Sequence, residues 1–193
     1  MEHKPLVGLA MCGSYCTFAQ VFAAAGELRR DYALLGIMSE TAAETDTRFG
    51  TAVTHIRRLM DLTGGPVVTT IAEAEPLGPA RPMDALVIAP CTGNTLAKLA
   101  HGLTDSAVTM AAKAHLRNGR PLVIAFSTND GLSASAENIG KLLNRKQVFF
   151  VPFRQDDPAK KPRSLQADFS LLSETVAAAL RGEQIQPILL GAK

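Results

Sequence analysis

The stretch Ala85-Leu86-Val87-Ile88-Ala89-Pro90-Cys91-Thr92-Gly93-Asn94-Thr95-Leu96-Ala97-Lys98 changes character within a few residues. Ala85 to Ala89 is apolar throughout, as a strand covered on both faces must be. Pro90 cannot donate to a ladder and stops the strand. Thr92, Asn94 and Thr95 then set hydroxyl and amide groups beside a glycine where a helix begins. Thr92 or Asn94 can serve as an N-cap. Asn94 can also donate and accept, and so can grip a carboxylate or an amide.

The same unit recurs on either side. Short apolar runs at Pro5 to Ala10, Ala33 to Met38, Pro66 to Thr70, Pro121 to Phe126 and Val148 to Val151 read as further strands. Helical stripes lie between and after them: Phe18, Val21, Phe22, Ala25 and Leu28; Phe49, Val53, Ile56 and Met60; Leu165, Phe169, Leu172, Val176 and Leu180. Strand and helix in alternation imply a parallel sheet with helices on both faces, joined by right-handed crossovers. The expectation is a Rossmann-like, doubly wound α/β fold in three layers, one domain over residues 1–193, with strand order 3-2-1-4-5. Pro152 to Ser164 is polar, holds three prolines and reads as a loop.

Composition narrows the function classes. The chain has 193 residues, 47% hydrophobic and 20% charged, with a net charge of +2. That charge is too small to point to nucleic acid or a membrane surface. No apolar run approaches the roughly 18 residues of a membrane span. Leu6 to Ala10 is too short for a secretion signal, and a cytoplasmic protein is expected. Three cysteines cannot all pair within the chain. Cys12, Cys16 and Cys91 have poor zinc spacing and the histidines are scattered, so no metal site is expected.

In doubly wound sheets ligands bind outside the strand carboxyl ends, where strand order reverses. The loops after strands one and four meet there. After strand one, Gly13 allows a sharp turn and Ser14 offers a hydroxyl, and a helix N-terminus follows, together suited to phosphate. Thr17 with Gln20 fits a capping box. The spacing of Gly8, Gly13 and Gly26 is not the nicotinamide fingerprint. After strand five come Ser127, Thr128 and Asn129, a third polar loop that also reads as a plain turn. Arg48, Lys160, Lys161 and Arg163 could pair with an acidic substrate.

Pro90-Cys91-Thr92-Gly93-Asn94-Thr95, followed by Ala97-Lys98-Leu99-Ala100 and Gly102-Leu103-Thr104-Asp105-Ser106, resembles the flavoprotein family of homo-oligomeric, flavin-containing cysteine decarboxylases. Asp46-Thr47-Arg48-Phe49-Gly50, Glu75-Pro76-Leu77-Gly78-Pro79, Ser127-Thr128-Asn129-Asp130 and Gln155-Asp156-Asp157-Pro158 resemble one branch of it, two-subunit synthases of a pyridine dicarboxylate. The likeness spans nearly the whole chain.

The resemblance implies FMN held by Gly13, Ser14, Thr17, Ser39, Pro90, Thr92, Asn94, Thr95, Ser127, Thr128 and Asn129. It implies a catalytic, orienting role for Asn94, and a small dicarboxylate substrate near Arg48, Lys160 and Lys161. It also implies a homo-oligomer, a second, dehydrogenase-like subunit, and a place in the mother cell of a sporulating bacterium. The decarboxylases' histidine before strand four has no counterpart, since none lies between His55 and His101. Decarboxylation of a cysteine is therefore not expected, and what the resemblance implies instead is oxidation of a dihydro- or hydroxytetrahydro-pyridine dicarboxylate. A non-catalytic, stabilising flavin subunit and a nicotinamide enzyme are the alternatives, the second opposed by the missing glycine fingerprint.

Overall fold

The computed structural model describes residues 4–78, 80 and 82–191. Five strands form its parallel core: β1 (Leu6–Met11), β2 (Ala33–Met38), β3 (Ala85–Cys91), β4 (Leu122–Thr128) and β5 (Val148–Phe150). Their order is β2-β1-β3-β4-β5. Alternate residues point to opposite faces. Val7, Leu9, Met11, Val87, Ala89, Val123 and Ala125 meet α1 (Phe18–Asp31), α2 (Glu40–Glu44), α3 (Ala52–Thr63) and α8 (Leu172–Leu180). Ala10, Leu86, Ile88, Leu122, Ile124 and Phe126 meet α4 (Ile71–Ala74), α5 (Gly93–His101), α6 (Ala107–Leu116) and α7 (Ala136–Leu143). This is the doubly wound, three-layer α/β architecture. No helix among the described residues is long and apolar enough to cross a membrane.

The expected strand at Pro66 to Thr70 shrinks to one bridge, Val68 beside Ile37 at the outer edge of β2. Its position is the expected one, but its ladder is cut short. The Thr69 and Thr70 N–H groups go instead to the Glu73 carboxylate, at 3.0 and 3.1 Å, and Thr70 with Glu73 closes the capping box that starts α4. A side chain three residues on has out-competed the neighbouring strand.

The segment expected as a loop begins with a strand. β6 (Phe153–Arg154) pairs antiparallel with β7 (Leu165–Ala167), and β7 pairs with Ser127 and Thr128 of β4. On its edge away from β3, β4 thus has one partner for its first half, β5, and another, β7, for its carboxyl end. That second pairing keeps Ser127 and Thr128 in the sheet at the mouth of the site.

Two helical readings are corrected. The α1 stripe is buried as expected, but Phe49, Val53 and Met60 of the second stripe are exposed. Gly50 and Thr51 interrupt the chain before α3, with Thr51 as N-cap, and the helix buries Ala52, His55 and Leu59 instead. The capping box of Thr17 with Gln20 does not form. Residues 15–17 make a 3-10 turn, the Thr17 hydroxyl donates to the Ser14 carbonyl at 2.8 Å, and Gln20 accepts from Gln166.

The chain after α8 closes two sheet edges. The Gln184 amide accepts from the Phe150 N–H and donates to the Phe150 carbonyl, both at 2.7 Å. Further on, Phe153 N–H donates to the Ile188 carbonyl at 3.0 Å and Leu190 N–H to the Phe153 carbonyl at 2.9 Å.

Candidate functional site

The strand order reverses between β1 and β3. A cleft of about 560 Å³ opens there, across the carboxyl ends of β1, β3 and β4. Three loops line it: Gly13 and Ser14 after β1, Thr92 to Asn94 after β3, and Ser127 to Asp130 after β4. Ala134, Ser135 and Asn138, on and just before α7, close the far side. The fold brings the three polar loops together because each follows a buried parallel strand whose direction is fixed by the sheet.

The start of α5 is the best-defined element of the site. Thr92 is the N-cap, its hydroxyl accepting from Thr95 N–H at 3.2 Å. The first N–H groups of an α-helix have no acceptor within the helix. With Thr95 satisfied by the cap, Gly93 and Asn94 keep theirs for a ligand, and the positive end of the helix dipole adds to them. Asn94 is exposed. Gly93 lies against the opposite wall: a Cβ there would sit 2.7 Å from Ser135 Oγ and 2.8 Å from Thr128 Oγ1. Only a residue without a side chain leaves those hydroxyls in place.

The β1–α1 turn is held by its own backbone, with Ser14 N–H on the Cys12 carbonyl at 2.8 Å and Thr17 N–H on the Ser14 carbonyl at 3.0 Å. Cys12 N–H donates to the Pro90 carbonyl at 3.1 Å, tying the β1 and β3 loops together. Among the described residues, the cleft is lined by no Lys, Arg or His, and its one ionisable group is Asp130. An anion there is met by neutral donors and helix dipoles.

Several expected residues lie behind this surface. Pro90 is buried at the end of β3. Thr95 is buried, its hydroxyl donating to Cys12 Sγ at 3.3 Å. Thr17 is buried. Ser39 caps α2, accepting from Ala42 N–H at 3.3 Å, and its own N–H reaches the Met11 carbonyl at 3.0 Å. These four brace the loops without lining the cleft. The three expected cations do not line it either. Arg48 stacks over the Phe49 ring at 4.9 Å, Lys161 pairs with Asp156 at 3.0 Å, and Lys160 is exposed on the same loop.

Sequence reasoning passed over Ser135 and Asn138. The available signal was an asparagine beside Ile139 on the face of α7 that buries Ile139 and Leu142, since buried polar side chains are the informative exceptions. It also gave no place to His55, which packs on Tyr15 and Phe18 behind the β1–α1 turn and whose Nε2 has no hydrogen-bond partner.

Cys12 and Cys91 are buried and Cys16 is exposed. Burial pushes the Cys12 thiol up to about 11, against a partial lowering by the Thr95 hydroxyl, and pushes Cys91 well up too. Both are therefore protonated and inert at neutral pH. No metal-holding cluster occurs among the described residues.

A larger cleft of about 710 Å³ lies between α1 and the β6–β7 pair. It is away from the switch point, and its one cation, Arg154, is held by Asp168 at 2.7 Å.

The flavoprotein family model matches residues 1–177. The chain is 45% identical over 185 residues to a subunit of dipicolinate synthase from Bacillus subtilis (strain 168), covering 95% of this chain and 92% of that one. It is similar to the crystal structure of the same dipicolinate synthase subunit from Bacillus halodurans C, at 42% identity and a TM-score of 0.90, with both chains fully covered. It also resembles a dodecameric, FMN-dependent UbiX-like decarboxylase from Escherichia coli O157:H7, at 26% identity and a TM-score of 0.59, covering 76% of this chain and 79% of that one. A parallel sheet with three polar loops at its switch point, matched along its length by these relatives, identifies the chain as a member of the flavoprotein family.

Proposed function

We propose that the chain is the FMN-binding subunit of a dipicolinate synthase, acting with a dehydrogenase-like subunit to oxidise a dihydro- or hydroxytetrahydro-dipicolinate to dipicolinate. The observation that carries this reading is the convergence of Gly13, Ser14, Thr92, Asn94, Ser127, Thr128 and Asn129 on one cleft at the switch point. The donor set fits FMN. The turn before α1 suits a phosphate, and the Thr92 hydroxyl, the Asn94 side chain and the β4 end offer donors and acceptors along the cleft for a polyol chain and a ring edge.

Bound there, FMN supplies a two-electron acceptor; the chain supplies position and electrostatics. Asn94, at the exposed first turn of α5, orients the reacting ring. Gly93 lets the two walls approach. Thr17, Ser39, Pro90 and Thr95 hold the loops in register from behind. No residue lining the cleft is an evident general base, so loss of water from a hydroxytetrahydro precursor falls to the partner or to solvent.

The exposed stripe of Phe49, Val53 and Met60 supports a homo-oligomer, which light scattering on the FMN-loaded protein tests. The likeness to the synthase subunits supports a cytoplasmic protein of the mother cell.

The test of function has two parts. FMN fluorescence should quench on titration to about one per chain. Dipicolinate absorbance should then rise fully only with both subunits present. A chain that binds no FMN, or a partner whose activity this chain leaves unchanged, ends the proposal.

A further inference from the structure

Ser135 and Asn138 are 4% and 9% exposed, yet both line the cleft. The Ser135 hydroxyl caps nothing, although it stands at the N-cap of α7. Its oxygen faces the first residue of α5, as the 2.7 Å separation from a Cβ at Gly93 requires. The Asn138 amide nitrogen reaches only the Ala134 carbonyl, at a long 3.5 Å, and its amide oxygen accepts no hydrogen bond among the described residues. Neither side chain is spent on a strong partner within the protein, and both open onto the cleft, so both are available to a polar ligand there.

The donors that converge here are the Ser135 hydroxyl, the Asn138 amide and the free N–H groups of Gly93 and Asn94, with the α5 dipole behind them. Such a set takes an anion with flat, paired acceptors. Ala97 and Ala134 flank it with no bulk, which leaves room for a ring. The Gly13–Ser14 turn at the start of α1 is a separate anion site in the same cleft.

We infer that the α7 side of the cleft is a seat for one carboxylate of the substrate, built from Ser135, Asn138 and the first turn of α5 and containing no cation. This rests on the reading of the chain as the flavin subunit of a dicarboxylate enzyme. Neutral donors fix the carboxylate's direction while holding it less tightly than an arginine would, which favours release of a dianionic product.

The test titrates dipicolinate calorimetrically into FMN-loaded wild type, Ser135→Ala, Ser135→Thr and Asn138→Asp, alongside FMN titration of each. Dipicolinate affinity should fall about tenfold or more in Ser135→Ala and Asn138→Asp and recover in Ser135→Thr, while FMN affinity stays within about twofold. Unchanged dipicolinate affinity overturns the inference. So does a parallel loss of FMN, which would give the seat to the flavin phosphate. Should Asn138→Asp not fold, the Ser135 pair decides alone. Should wild type bind no FMN, the flavin reading fails by itself. Dipicolinate titration of the flavin-free protein then supports the seat if Ser135→Ala weakens it and overturns it if it does not.

Discussion

Thr92 and Asn94 stand two residues apart at the start of α5, and the structure gives them different work. Thr92 Oγ1 accepts from Thr95 N–H at 3.2 Å and lies 3.0 Å from Thr95 Oγ1, so it holds the helix end together. Removing an N-cap of this kind costs about 1 kcal/mol. For a chain of this size that lowers the melting temperature by roughly 2–4 °C. Asn94 is exposed and caps nothing. Asn94→Ala should therefore change stability by no more than about 0.5 kcal/mol. Its effect belongs to the ligand: one lost hydrogen bond to a charged or reacting group, with the loss of orientation, lowers FMN affinity or turnover by about tenfold to a hundredfold. Thermal melts, FMN titration and dipicolinate formation with both subunits present, on the same preparations, separate the two. Asn94→Ala with wild-type flavin affinity and turnover would refute the assignment. So would a melting temperature that falls as far as that of Thr92→Ala.

Other outcomes follow from contacts at and below the cleft. Gly93→Ala puts a methyl about 0.6–0.7 Å inside ordinary contact with the Thr128 and Ser135 hydroxyls. It should cost about 1–2 kcal/mol net of the helix-propensity gain and weaken FMN, and an unperturbed melt with unchanged FMN affinity would count against the tight wall described. Burial holds His115 below its ordinary value of 6.5, despite the bond of its Nε2–H to the Pro121 carbonyl at 2.9 Å. The unfolded chain then binds the extra proton first, so this contribution is complete above about pH 7 and is lost as pH falls through 6.5, by at most about 1.4 kcal/mol per pH unit. Urea melts from pH 7.5 to 5.5 measure it, and His115→Gln should flatten the profile. Finally, a thiol reagent at pH 8 should titrate Cys16 alone in the folded protein and all three cysteines after denaturation. Rapid reaction of Cys12 or Cys91 in the native state would contradict their burial.

The sheet was legible because its signal is redundant: each central strand is apolar throughout, so any of them announces a layer on both sides. Register and strand length at the edges were not. Beyond Val68 the edge strand stops because Thr69 and Thr70 give their N–H groups to the Glu73 carboxylate, and β6 and β7 are too short to leave a pattern. The α3 stripe misled because a 3.6-residue period fits two adjacent faces of a short helix. Gly50 and Thr51 decide which face turns inward, and that is tertiary information. In the site, the loop ends carried their own mark, a polar cluster after an apolar run. Ser135 and Asn138 did not, since they enter from a helix that only the completed fold brings to the cleft. The cations at Arg48, Lys160 and Lys161 were read from charge alone, which says nothing about direction.

Among the described residues, the chain's own segments cover part of each outer edge of the sheet. Val68 sits on the outer side of β2, the Gln184 amide fills the hydrogen-bonding slot beside Phe150, and the strand-like run through Ile188 and Leu190 covers Phe153. An exposed strand edge is a template on which a second chain can polymerise. Here a single glutamine side chain imitates a neighbouring peptide group, satisfying β5 without offering an onward edge. At these points a second copy finds no free hydrogen-bonding slot on which to add a strand. Gln184→Ala would reopen the Phe150 edge, and with it a route to fibrous aggregation that the native chain keeps shut.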